Sequence, residues 1–293
     1  MISKRTMGKS VLGLALVLVL MFSFIPMAFA ADGDIIVSTG EELDSALRSV
    51  TGDANVKIVL ANDIDAVTSA TYTAYTTGAS ITIDGQGHKI DGLGVMDTGL
   101  RFGRRNQELK LTIINTTFAN MQNNDRNGGG AIAIWRGTSV VSGSTFTGNA
   151  SSVSTSRGGG GVMVQTGSAD ISNSTFTGNT AAGNGAAIYA GSGTLRNVTV
   201  TGNHSTGGVG GVGGVNGAFT LVRSIIENNT TGSATADPNV SANVVIAANA
   251  AGLPLTSQFR DIALRAFRLS RISCLPTSTS LRPQSSTAPL KSR

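Results

Sequence analysis

The chain of 293 residues contains 38 glycines and one cysteine, while only 13% of its residues are charged and 5% are aromatic. This composition excludes an intramolecular disulfide framework and a charge-rich disordered chain, and it does not fit a helical bundle. The net charge of +5 does not indicate a nucleic-acid partner, because ten basic residues lie in 1–30 and 260–293. They leave 12 basic against 16 acidic residues in 31–259.

The first 30 residues have the three parts of a secretory signal peptide. Three basic residues stand near the start, an apolar run follows over 11–22, and Ala28-Phe29-Ala30 provides small residues at a cleavage site. The apolar run is too short for a transmembrane span, and no other stretch of about 18 apolar residues occurs in the sequence. We therefore predict that 1–30 is removed. The mature chain is then secreted or extracellular, or associated with the cell surface, without an integral membrane segment.

The mature chain begins with a predicted cap and the first strands. Thr39-Gly-Glu-Glu42 matches the capping-box pattern and predicts a short amphipathic helix over 43–50. A first strand is predicted at 56–60, and 81–90 predicts a strand, a tight turn and a second strand. The helix would cover the open end of a stack of coils, as terminal repeats must.

Two interleaved repeats follow, a Thr-rich strand motif and a Gly-rich motif that begins at 129, 160, 185 and 213. One places an apolar residue in the middle of a Thr-rich strand, at spacings of 28, 30, 24 and 26: Phe118, Phe146, Phe176, Val200 and Ile226. Most copies end in an asparagine: Asn149, Asn179, Asn203 and Asn229. The period is too short for two packed helices, and Gly, Thr and Val disfavour a helix. The repeats therefore predict coils of short parallel strands that stack about 4.8 Å apart.

Stacking gives each repeated position a predicted place. Successive strand residues point to opposite faces, so Thr175 and Thr177 face outwards while Phe176 faces inwards. The phenylalanines form an apolar column, and the asparagines form a ladder at one turn. Both residues of each Gly-Asn pair tolerate the left-handed turn conformation. Unequal repeat lengths predict loops on one edge.

The predicted fold class is thus all-β, a right-handed parallel β-helix with a short N-terminal capping helix. The predicted domains are the signal peptide 1–30, the β-helix 31–250 and a basic, Ser/Pro-rich tail 251–293. In the tail the repeats stop and glycine disappears after Gly252. We interpret the tail as disordered, or as the truncated or frame-shifted end of a longer repeat protein.

Phe-x-x-Asn at 146–149 and 176–179, paired with Gly-Gly-Ala-Ile at 129–132, resembles the repeats of polymorphic outer-membrane proteins and related bacterial surface β-helices. The segment 35–95 is similar to the start of pectin-lyase-like β-helices. The resemblance covers residues 35–250, and it implies surface display and, in some members, adhesion. Such proteins often carry a C-terminal membrane barrel or wall-anchoring module, and this sequence departs from them because neither is visible.

Because this fold also hosts polysaccharide lyases and hydrolases, an enzyme is the alternative hypothesis. A candidate glycan or ion groove consists of six residues in the first coils: Asp63, Asp65, Asp84, Asp91, Asp97 and Arg101. Under this alternative, carboxylates would hold calcium and a basic residue would abstract a proton. Otherwise no cofactor or metal is expected, and the sequence identifies no catalytic residue.

The leading hypothesis is a non-enzymatic adhesion or binding module for a host or environmental surface, or for a polysaccharide. Glycosidic hydrolysis normally needs two carboxylates, whereas Asp170 is the only acidic residue in 126–226. The outward Thr-x-Thr pairs at 145–147, 175–177 and 199–201 also resemble the surface of ice-binding β-solenoids. Threonine is equally the expected polar residue on a parallel strand.

Overall fold

The computed structural model describes residues 33–66, 73–74, 78–103, 108–124, 129–152, 157–214, 219–234, 236, 238–241 and 244–246. They all belong to one compact unit, 1–248. The predicted signal peptide and tail lie outside the described residues. Within these residues the strands are mostly parallel and form a β-solenoid, with a single short helix near the N-terminus. This confirms the predicted all-β, parallel β-helix class.

The elements of the first coils, in chain order, are β1 (Ile35–Val37), α1 (Gly40–Ser49), β2 (Asn55–Leu60), β3 (Ile64–Asp65), β4 (Thr73–Ala74), β5 (Ser80–Asp84), β6 (Lys89–Asp91), β7 (Leu100–Phe102), β8 (Leu109–Ile114), β9 (Thr117–Ala119) and β10 (Gln122–Asn123). The elements of the later coils are β11 (Ile132–Ser142), β12 (Thr145–Thr147), β13 (Ala150–Ser151), β14 (Val162–Ser172), β15 (Thr175–Thr177), β16 (Thr180–Ala181), β17 (Ile188–Arg196), β18 (Thr199–Thr201), β19 (His204–Ser205), β20 (Val212–Gly214), β21 (Phe219–Val222), β22 (Ile225–Glu227), β23 (Thr230–Thr231) and β24 (Val244–Ile246).

The coils build three parallel sheets. Sheet A follows the order β1-β2-β5-β8-β11-β14-β17-β21-β24, sheet B the order β3-β6-β9-β12-β15-β18-β22, and sheet C the order β10-β13-β16-β19-β23. In a central coil the long strand β14 is followed by β15 in sheet B and β16 in sheet C, and the chain then returns to sheet A as β17. The 11-residue strands β11 and β14 are longer than the short runs that the sequence predicts.

Helix α1 begins directly after its capping residue, Thr39. The Oγ1 atom of Thr39 accepts a hydrogen bond from the backbone N–H of Glu42 at 3.2 Å, and the Glu42 carboxylate accepts one from the Ser38 N–H at 2.6 Å. The helix therefore starts three residues before the predicted 43–50, because the capping residues form its first turn. Strand β1 precedes the helix and pairs with β2, so sheet A also starts one strand earlier than predicted.

The core is the inside of the coil, where side chains of equivalent strand positions stack. The rings of Phe118 and Phe146 have centroids 5.1 Å apart. The rings of Phe146 and Phe176 have centroids 4.6 Å apart and are almost parallel, with an angle of 2° between their planes. Val200 and Ile226 continue this column in register through β18 and β22. Stacked buried rings combine the burial of a large apolar surface with close ring contact.

Two of the three corners of the coil have a fixed length from β8 onwards. Two residues connect sheet A to sheet B, and two residues connect sheet B to sheet C, in each successive coil. The length differences fall mainly where sheet C returns to sheet A: that connection covers 152–161 between β13 and β14, but only 182–187 between β16 and β17. This agrees with the prediction of variable loops on one edge.

The turn from sheet B to sheet C corrects one expectation. Its first residue has a positive φ in every coil from β9 to β23: Asn120, Gly148, Gly178, Gly202 and Asn228. The second residue, such as Asn149 or Asn179, does not have a positive φ. Only the first residue of each Gly-Asn pair is therefore left-handed, because the second must turn its side chain into the core.

Candidate functional site

The repeated asparagines form a hydrogen-bonded ladder inside the solenoid. The Nδ2 atom of Asn149 donates to Oδ1 of Asn179 at 2.9 Å, Asn179 donates to Asn203 at 2.9 Å, and Asn203 donates to Asn229 at 2.8 Å. Each Nδ2 also donates to a backbone carbonyl of the preceding coil, for example Asn179 to Phe146 O at 3.0 Å. These four amides are buried, so their hydrogen bonding is directed into the fold and not to a ligand.

A second ladder, which the sequence analysis missed, lies at the turn from sheet A to sheet B. The Oγ atom of Ser144 accepts from the Thr116 N–H at 3.2 Å and donates to Ser142 O at 2.8 Å. Ser174 repeats the arrangement with the Ser144 N–H at 3.1 Å. The signal was available, because a serine stands two residues before the apolar column residue at 144, 174 and 224.

The six residues of the candidate groove lie in three groups. Lys57 Nζ lies 3.1 Å from a carboxylate oxygen of Asp34 and 3.4 Å from one of Asp84. Separately, Arg101 donates to Asp97 at 3.0 Å and to Asn123 Oδ1 at 2.9 Å. Asp84 and Asp97 therefore have different cationic partners, in different parts of the first coils.

The third group surrounds Lys89. Its Nζ lies 2.9 Å from Asp91 Oδ2, and its backbone N–H donates to Asp63 Oδ1 at 2.9 Å. His88 Nδ1 lies 3.4 Å from the same Asp63 oxygen, and Asp65 pairs in register with Asp91 between β3 and β6. Among the described residues, no group of three or more His, Cys, Asp or Glu side chains could hold a metal ion.

Asp84 and Asp91 each open a tight Asp-Gly-x-Gly turn. Asp84 Oδ1 accepts from the Gln86 N–H at 3.2 Å, and Asp91 Oδ1 accepts from the Leu93 N–H at 2.9 Å. Gln86 and Leu93 both have a φ of 53°, and the glycine after each also has a positive φ, as in the two-residue turns of hairpins. The sequence predicted the first turn and missed the second, although the same four-residue pattern occurs at 91–94.

The outer surface of sheet B is a regular array of threonines, here called the threonine face. Strands β9, β12, β15 and β18 pair in register, so outward residues form two columns. The seven half-buried members are Thr117, Thr145, Thr147, Thr175, Thr177, Thr199 and Thr201. In these columns the array ends at Lys89 and Asp91 on one side and at Ile225 and Glu227 on the other. The threonine face is therefore uncharged along its length.

A polar groove borders the threonine face at the turn from sheet A to sheet B. Its volume is about 360 Å³, and three successive coils line it: Gln86, Gly87, Asn115, Thr116, Thr117 and Gly143. None of the lining side chains is charged. No sequence pattern predicted that Gln86 and Asn115 line a common groove.

A family model described as "putative pectate lyase-like adhesive domain" matches residues 35–157. These residues run from β1 to the return connection after β13, and they include α1 and the first stacked phenylalanines. The chain has the fold of a pectin-lyase-like β-helix repeat protein. No curated protein and no solved structure matches it. The similarity to polymorphic outer-membrane protein repeats stays a prediction.

In this β-helix the pKa values of Asp63, Lys89 and Asp91 are shifted so that all three groups remain ionised at neutral pH. Burial raises the pKa of Asp91, but hydrogen bonds from Lys89, Asn120 and the Leu93 N–H outweigh it and hold that pKa below its usual value. The hydrogen bond from the Lys89 N–H lowers the pKa of Asp63, and the hydrogen bond to Asp91 raises the pKa of Lys89. A general acid or base works best with a pKa near the working pH, so these shifts do not favour catalysis.

We expect Asp91→Asn to destabilise the β-helix at pH 7 and to have a smaller effect at pH 3. The folded pKa of Asp91 lies below that of the unfolded chain, about 3.9. Its contribution is therefore complete above that value and is lost as the pH falls towards the folded pKa. Urea unfolding midpoints at pH 7 and pH 3 measure the difference.

The matched control is Asp65→Asn, the exposed neighbour of Asp91 in register, which should change the midpoint little at either pH. An Asp91→Asn effect of the same size at both pH values would show that charge does not carry the contribution.

Proposed function

We propose that the chain is a secreted, non-enzymatic adhesion module that binds a surface through the outside of its stacked coils. The observation that carries this proposal is the threonine face, a regular and uncharged array that extends over four coils. Stacked coils of this kind present extended binding surfaces. The match of residues 35–157 to an adhesive-domain model supports the same function. Among the described residues, no helix is long and apolar enough to cross a membrane.

The carboxylates of the first coils support binding over catalysis. The side chains of Asp84 and Asp91 hold tight turns through the Gln86 and Leu93 N–H groups, and each also pairs with a lysine. A lyase of this fold would need carboxylates that are free to bind calcium and a basic residue that is free to abstract a proton. Asp84 and Asp91 are not free in this way. The alternative function, a secreted polysaccharide lyase or hydrolase, would be favoured if the chain released cleaved product from a polysaccharide.

The full chain should be tested on immobilised neutral and anionic polysaccharides, with and without calcium, for binding and for released product together. We expect binding without new reducing or unsaturated ends. Thr177→Lys places a charge in the middle of the threonine face and should weaken binding at least about tenfold. The control is Thr194→Lys, which lies half-buried on sheet A and should bind like the unmodified chain.

Calcium-dependent cleavage of a polysaccharide would contradict the proposed adhesive function and would support the enzyme hypothesis. Equal binding by the two lysine variants would place the adhesive surface elsewhere on the solenoid.

A further inference from the structure

The groove beside the threonine face arises from a difference in turn length. Four residues, 85–88, connect β5 to β6, whereas two residues connect β8 to β9 and β11 to β12. Gln86 and Gly87 of the longer turn line the groove together with residues of the two shorter turns. Thr117 belongs both to the groove and to the threonine face, so the two surfaces are continuous.

A glycine interrupts a column of asparagines at this place. Asn115, Gly143, Asn173 and Asn197 occupy the same position in successive coils, with φ values of 45°, 59°, 49° and 54°. Asn197 Nδ2 donates to Asn173 Oδ1 at 3.0 Å, so asparagines at adjacent positions pair along the axis. Gly143 cannot pair with Asn115. A Cβ atom at Gly143 would collide with the Asn115 Oδ1 atom, so any side chain there would displace the Asn115 amide.

The groove therefore presents hydrogen-bonding groups that the fold does not use. The Asn115 amide makes no side-chain hydrogen bond within the described residues, nor does the Thr117 hydroxyl. Gln86 Nε2 donates to Asp84 Oδ2 at 2.8 Å, which orients that amide and leaves its oxygen available. Two carboxamides and one hydroxyl offer both donors and acceptors within one small space.

The chemistry of this lining points to a neutral ligand with neighbouring hydroxyl groups. Each sugar hydroxyl donates and accepts, as carboxamides do, and the groove volume is close to the lower end of small-molecule sites, about 300–1,000 Å³. Lys89, which pairs in register with Thr117, already faces Asp91, so an anionic sugar gains no free cation from it.

We propose that this groove is a subsite for one neutral sugar unit, from which a glycan continues over the threonine face. The inference rests on the proposed adhesive function and adds a ligand class and a place to it. Because the site is open and its groups are few, it contributes modest affinity, and repeated contact along the threonine face would add to it.

The test uses the full chain and three neutral trisaccharides: cellotriose, maltotriose and tri-N-acetylchitotriose. We expect at least one of them to shift the side-chain amide NMR signals of Asn115 and Gln86. Gly143→Asn should weaken that binding at least about tenfold, because the new amide fills the groove and pairs with Asn115. Asparagine already adopts this left-handed conformation at 115, 173 and 197, so the variant should fold, and thermal unfolding verifies this.

The matched control is Asn173→Gly, the reverse change one coil further along, which should bind like the unmodified chain. Equal trisaccharide binding by Gly143→Asn and the unmodified chain would overturn the site. So would the absence of binding by every neutral trisaccharide, or a preference for trigalacturonic acid. The polysaccharide assay with Thr177→Lys decides the adhesive function separately, because Thr177 does not line the groove.

Discussion

Phe176→Ala is expected to lower the free energy of unfolding by about 3–5 kcal/mol, the usual cost of removing a buried aromatic ring. The side chain of Phe176 is completely buried, and its ring stacks on that of Phe146 at 4.6 Å. The neighbouring coils cannot move in to fill the cavity, because the backbones of β12, β15 and β18 are fixed by pairing on both sides. Urea unfolding monitored by far-UV circular dichroism measures the loss.

The control for this variant is the adjacent residue. Thr175→Ala removes an outward side chain from the same strand and should change the free energy of unfolding by less than about 0.5 kcal/mol. If both substitutions had equal effects, the assignment of inward and outward positions would be wrong for this strand.

Asn179→Ala is expected to cost at least about 3 kcal/mol, since each buried polar group left unpaired costs about 1–3 kcal/mol. The Asn179 amide accepts from the backbone N–H and from Nδ2 of Asn149, and it donates to Phe146 O and Asn203 Oδ1. Alanine at this position would leave these groups of the neighbouring coils without a hydrogen-bond partner. Equilibrium unfolding at several pH values is the measurement, and the loss should not vary with pH because an amide does not titrate in this range.

An exposed asparagine provides the comparison. Asn197→Gly removes one hydrogen bond, to Asn173, and keeps a residue that adopts the left-handed conformation easily, so its cost should be about 0.5 kcal/mol or less. An Asn179→Ala variant as stable as Asn197→Gly would mean that the inner ladder contributes little to the folded state.

Much of the fold could be predicted because the chain repeats itself. Once Phe146 and Phe176 stand at equivalent positions, strand alternation places Thr175 and Thr177 outside, and parallel stacking brings equivalent residues into contact. The start of α1 was missed for a local reason. The apolar pattern begins at Leu43, but the hydrogen bond from Glu42 to the Thr39 side chain makes the residues between them helical.

The candidate site was less predictable, because it depends on differences between coils. The partner of Asp84 is Lys57 from the preceding strand of sheet A, and a sequence gives no register for such a pair before the coils are aligned. The Asp-Gly-x-Gly pattern at Asp91 also does not tell whether its carboxylate holds a turn or binds an ion. The groove requires both a longer turn at Gln86 and a missing side chain at Gly143, and neither is informative alone.

Two corners of the coil have a fixed length and the third varies, and this difference has a consequence for engineering the chain. An extra residue in a two-residue corner would invert every side chain of the strand that follows, and would move apolar residues to the surface. The return connection from sheet C to sheet A already differs in length between coils. This difference does not change the strand register, because β14 and β17 pair from their first residues, Val162 and Ile188.

Peptide tags or foreign epitopes should therefore be placed after the exposed Ser152, in the longer return connection, where added length costs little closure entropy. The shorter connection 182–187 is unsuitable, because Ala186 and Ala187 are buried and hydrogen-bonded to the next coil.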